Sequence, residues 1–226
     1  MKMNTIRLSC IIFLAAAGIN LGYGQQAAGK DDMKTVLKKT FDDFDTATTQ
    51  LQKTQLSGRL SLIAAKWDND WITHYYLAYS KVVLSENDKL EGAKRDALLD
   101  EAGIELDKAV KILGKENDET NVLGAFIANW RIAISPMTRY MIYGKVFTGH
   151  MEAAKAINPN NPRIYYLRGM AKFSMPRFAG GGEQVALPYL AKADSLYAKE
   201  NDKDITRPYW GKTATAYYLK LCKTKN

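Results

Sequence analysis

The side chains of this chain that could carry chemistry are few, and their spacing says more than their number. His74 and His150 are the only histidines among 226 residues, and no ligand spacing surrounds either one. A zinc-type site needs several nitrogen or sulfur donors brought together, so no metal site and no cofactor are expected. There is no Gly-x-Ser-x-Gly elbow, no His-Glu-x-x-His and no paired cysteine, so no catalytic residues are assigned. The acidic pair Asp42-Asp43 reads as a solvated face, and Asp68 with Asp70 as a helix cap. The pattern points away from an enzyme.

Aromatic rings and arginines are the better candidates for recognition. Tyr75, Tyr76 and Tyr79 cluster, as do Tyr165 with Tyr166 and Tyr217 with Tyr218. Neighbours on a helix diverge by about 100°, so one ring of each pair packs inward while the other points elsewhere. Two readings stand side by side. In one the rings wedge helices together. In the other, one ring of each pair lines a groove and Arg131, Arg139 and Arg168 anchor an acidic or peptide ligand. Arg131 follows Trp130, and Arg168 follows Tyr165 and Tyr166. A guanidinium beside a ring holds a carboxylate while the ring covers apolar surface.

The segment Arg177-Phe178-Ala179-Gly180-Gly181-Gly182-Glu183 is the one loop with character. A glycine run before a helix can turn backbone N–H groups toward an anion. No Lys-Ser/Thr follows, so the phosphate-loop pattern is absent. The plainer reading of Gly180, Gly181 and Gly182 is a tight connection between two helices.

The chain begins with Lys2 and Arg7, then an apolar run from Leu8 to Ala17, then Gly22-Tyr23-Gly24. That order predicts a signal peptide over residues 1–24, cut before Gln25, and an exported, periplasmic protein. The run falls short of the roughly 18 to 20 apolar residues of a membrane span, and no other stretch reaches that length. Cys10 precedes most of the run and is no lipidation site, which leaves Cys222 alone and without an internal disulfide. Loss of Lys2 and Arg7 lowers the net charge from +8 to +6. The remaining basic residues are dispersed, with no stripe for nucleic acid.

Apolar residues then recur at helical spacing throughout, and no strand-like alternation occurs. Residues 25–30 form a flexible lead and the first helix starts at Asp31 or Asp32. Breaks fall at Asp68-Asn69-Asp70, Ser85 to Asp88, Gly114, Ser135-Pro136 and Asn158 to Pro162. A last helix opens at Arg207-Pro208 and runs through Trp210. An eleven-residue segment also repeats: Lys108-Ala109 through Lys115-Glu116-Asn117-Asp118 matches Lys192-Ala193 through Lys199-Glu200-Asn201-Asp202, 84 positions on. Lys155-Ala156 stands between them.

These features resemble the tetratricopeptide repeat family, over roughly residues 69 to 222. Ala102 with Ala109, Gly149 with Ala156, and Ala186 with Ala193 stand where that family puts two small residues seven apart on its second helix. Gly169, between Tyr165 and Phe173, stands for the small residue of the first helix, and Asn158-Pro159-Asn160-Asn161 for the closing turn. Axes about 8 to 10 Å apart at a crossing leave no room beyond a methyl. The Lys-Ala pairs are 47 and then 37 apart, so the units are degenerate.

The resemblance implies an all-α helical-hairpin solenoid over residues 31–222. It comprises a lead pair at 31–67, units at 69–114, 118–157 and 162–200, and a final helix at 206–222. It also implies a non-enzymatic scaffold that binds a protein or peptide partner through its concave face. The glycine-rich loop is similar to a turn joining the helices of a unit in secreted members. The alternative is a periplasmic module holding a sugar-derived or acidic small ligand in an aromatic pocket near that loop.

Overall fold

The computed structural model describes residues 21–200 and 204–224. Most of the expected targeting segment lies outside them, as do Asn201 and Asp202 of the repeated segment. The described residues form nine α-helices and no strand. They are α1 (Leu21–Thr46), α2 (Gln50–Lys66), α3 (Trp71–Ser85), α4 (Gly92–Leu113), α5 (Asp118–Ile134), α6 (Pro136–Ile157), α7 (Pro162–Ser174), α8 (Glu183–Tyr197) and α9 (Lys212–Thr224).

Local chemistry sets most boundaries. Thr49 and Gln52 close a capping box on α2, and Asn117 and Thr120 close one on α5. The Asp70 carboxylate accepts from Ile72 N at 3.3 Å and starts α3. Asn161 accepts from Arg163 N at 2.9 Å ahead of α7, where Pro162 takes a first-turn position that needs no N–H. Gly114, at φ 74°, ends α4 in the left-handed conformation.

Two boundaries differ from the sequence reading, and a proline stands inside a third helix. Helix α1 starts at Leu21, well ahead of Asp31, because nothing between Gln25 and Lys30 breaks a helix. Helix α8 runs from Glu183 straight through Pro188. The hydrogen bond lost there leaves the Gln184 carbonyl on an exposed face, open to solvent. The last helix starts at Lys212, not near Arg207, because Gly211 at φ 98° turns the chain just before it.

Successive helices pair as hairpins, α3 with α4, α5 with α6 and α7 with α8. Ala102, Ala109, Ala186 and Ala193 are fully buried, as crossings require. A Cβ on Gly169 would lie 2.7 Å from the Leu190 side chain, so α7 and α8 touch there through bare backbone. The third pair departs: Gly149 and Ala156 are exposed, and α6 buries Met151 and Ala154 instead. The His150 ring fills the notch over Gly124, 2.8 Å from where a Cβ would stand, and that contact sets the rotation of α6.

The inner faces of α3, α5 and α7, expected to line a concave groove, are covered. Trp210, from the segment before α9, stacks on Phe126 of α5 with centroids 5.2 Å apart. The same ring lies 4.9 Å from Tyr79 of α3 and 6.3 Å from Tyr166 of α7. Tyr209 meets Phe41 of α1 at 5.1 Å. Beneath these rings the fully buried Arg163 bonds Glu119 at 3.2 Å, Glu200 at 2.8 Å and the Pro208 carbonyl. Tyr75 Oη donates to Glu119 at 3.0 Å and accepts from Trp210 Nε1 at 2.7 Å. A buried guanidinium survives only with such partners.

Candidate functional site: a cleft beside the α6 helix

Helices α6 and α7 touch sparingly, although they follow one another in the chain. The space between them is a cleft of about 660 Å³, within the range of small-ligand and cofactor pockets. Helix α5 supplies Trp130 and Ala133, and α6 supplies Tyr140, Phe147 and Met151. Arg168, Met170 and Lys172 come from α7, while Met175, Pro176 and Ala179 come from the loop that follows. Tyr189 of α8 and Tyr218 of α9 complete it. The wall is apolar and aromatic, with its positive charge confined to Arg168 and Lys172. Such a surface offers apolar contact with two cations at its edge.

Both cations of the wall already have a partner within the chain. Arg168 Nη2 is ion-paired with Glu152 of α6, while its Nε is buried with no partner. Lys172 Nζ donates to the Gly180 carbonyl at 3.1 Å. Glu86, at the end of α3, adds an acid near Trp130. Burial pushes that carboxyl up to about 7, held back in part by Lys53, the indole and Arg95.

The cleft therefore gathers Trp130, Arg168 and Tyr218 from the residues singled out in the sequence, with Ala179 of the glycine loop, and the others lie elsewhere. Arg131 bonds Asp96 at 3.2 Å and Asp100 at 2.5 Å, and Arg139 grips Asp96 with two bonds of 2.7 Å. Both fasten α4 to the α5–α6 hairpin. Tyr165 donates to the Pro159 carbonyl at 2.8 Å and lies under Lys192. Tyr166 is buried against Trp210.

The glycine loop borders the cleft without presenting an anion nest. Gly180 N donates to Arg177 O, Gly181 N to Pro176 O and Gly182 N to Lys172 O, at 3.0, 3.1 and 2.8 Å. A Cβ on Gly181 would fall 2.1 Å from the Met175 carbonyl, so the turn depends on its absence. Both histidines lie elsewhere. His74 bonds Glu105 at 2.6 Å and the Asp68 carbonyl at 3.0 Å, and His150 bonds Asn121 at 3.0 Å.

Sequence reasoning missed Phe147, Met151, Met170 and Tyr189 as site residues. On a helix such residues look like core, and Met151 and Met170 are indeed buried. The available signal was the excess of large apolar side chains on α6 for a helix that buries only Met151 and Ala154.

No family model matches this chain, and no curated protein does. Among solved structures it is similar to the HusA haemophore from Porphyromonas gingivalis, with a TM-score of 0.72 and 29% sequence identity. The match covers 85% of this chain and 93% of that one.

Proposed function

We propose that this chain is an exported, non-enzymatic binding protein whose cargo is haem or a closely related porphyrin, held in the cleft between α6 and α7. The observation that carries the reading is the cleft's make-up, about 660 Å³ of aromatic and thioether wall with Arg168 and Lys172 as its cations. A porphyrin has the matching form, a flat apolar ring with carboxylates on one edge. The similarity to a haemophore supports the same cargo. The tetratricopeptide-like reading serves as a proposal for the scaffold, supported by the buried small residues at Ala102, Ala109, Ala186 and Ala193.

Neither histidine lines the cleft, so tyrosine or methionine side chains of its wall would be the candidates to face the iron of a bound haem. Ring burial and the two cations then supply most of the affinity. The test is a titration of the mature protein with haem and with metal-free protoporphyrin IX, followed by absorbance and by quenching of tryptophan fluorescence. The expected result is saturable one-to-one binding of both, weakened at least about tenfold by Trp130→Ala with Phe147→Ala, roughly 1.4 kcal/mol. Absence of saturable binding to either compound sinks the proposal.

A protein partner keeps one supporting observation. Met137, Tyr140, Met141 and Ile142 of α6 are exposed, a larger apolar face than a helix normally leaves in water.

A further inference from the structure

Resting on the cleft reading, we propose that Glu152 is an internal competitor for Arg168, a carboxylate that an anionic ligand must displace in order to bind. Glu152 and Arg168 join α6 to α7, two helices that otherwise hardly touch and that form opposite walls of the cleft. The two partners are unequally placed. The Glu152 side chain is 58% exposed and is not part of the cleft wall, whereas Arg168 lines it.

The hydrogen-bond geometry shows why exchange is favourable. Glu152 engages Arg168 only through Nη2, and Arg168 Nε remains buried with no partner. A guanidinium is most fully satisfied by a carboxylate that takes two parallel N–H groups at once. A ligand whose ring lies against Trp130 and Phe147 can bring its carboxylate to Arg168 from inside the cleft, take over Nη2, and accept from Nε as well once the freed side chain turns to expose it. Its concentration at Arg168 is set by the buried ring, so it arrives effectively tethered. Glu152, exposed to water, loses little on release. The pair is thus a clasp. It holds α6 to α7 in the empty protein and selects ligands that carry an acid.

The consequence is specificity for the acidic form of the ligand, set partly by a residue outside the cleft. Wild type, Glu152→Gln and Arg168→Gln are titrated with protoporphyrin IX, which bears two carboxylates, and with its dimethyl ester, by tryptophan fluorescence. Glu152→Gln should bind the diacid several-fold more tightly than wild type and the diester equally well. Arg168→Gln should lose the preference for the diacid, and the double variant should show no gain. Unchanged or weaker diacid binding by Glu152→Gln overturns the clasp, and so does an equal gain for both ligands, which would indicate a change of shape. If wild type binds neither compound, the cleft reading falls with it. If wild type binds both and Glu152→Gln alone fails to respond, only the clasp falls.

Discussion

Glu86 follows the last turn of α3 and is partly buried. Burial raises its pKa from 4.5 to about 7, against the pull of Lys53, the Trp130 indole and Arg95. The native state therefore holds a proton that the unfolded chain has already released between those two values. The stability Glu86 contributes is present below about pH 4.5 and is lost as pH rises to about 7. Glu86→Gln should remove this slope. Urea unfolding at pH 4.5 and pH 8 should find the variant gaining relative to wild type at the higher pH, and an identical difference at both would refute the assignment. The same scale shows what the sequence could reveal. Trp130 and Arg168 were legible because an arginine near a ring is unusual chemistry. Arg131 and Arg139 share that signature, yet Asp96 and Asp100 take them, and those acids lie more than thirty residues away in the chain. Adjacency in sequence does not say which carboxylate gets there first.

At the scale of elements, small residues seven apart were a reliable sign where the helix had one apolar face. Ala102 and Ala109 on α4, and Ala186 and Ala193 on α8, lie at closed crossings. Ala109→Leu and Ala193→Leu should each destabilise by about 1 to 3 kcal/mol, because a fully buried contact has no volume for the added atoms. Lys111→Leu, on the exposed face of α4, should stay within about 0.5 kcal/mol of neutral. Thermal melts read the difference, and unchanged melting of both alanine variants would show that these crossings tolerate bulk. The sign failed on α6, which carries large apolar residues on several faces, so periodicity alone could not fix its rotation. A contact distant in sequence, His150 over Gly124, decided it. The cleft follows from that rotation, which is why its α6 wall could not be read from the chain. The glycine loop joins α7 to α8, and all three of its N–H groups serve its own turn.

Taken as a whole, the molecule is tight at one side and open at the other. Trp210 ties α3, α5 and α7 together from a segment after α8, a long-range closure that no local pattern announces. Trp210→Ala should cost about 3 to 5 kcal/mol in urea unfolding, through lost packing and the loss of the hydrogen bond that its indole donates to Tyr75. Helix α6 stands at the other extreme. It buries only Met151 and Ala154, while α3 is buried along nearly its whole length. Local opening draws on the buried contacts an element makes, so α6 should exchange its amide hydrogens faster than α3 in the empty protein. A ligand in the cleft touches α6, the second half of α7 and the loop at 175–179, and it should slow exchange there while leaving α1 and α3 unchanged. At a free ligand concentration of about one hundred times Kd, global stability should rise by about 2.7 kcal/mol. Hydrogen exchange with and without haem tests the two parts together. Protection confined to α6, α7 and the loop places the cargo in the cleft. Protection centred on α1 and α2 would place it elsewhere, and uniform protection with no local excess would mean that binding is not a local event at the α6 edge.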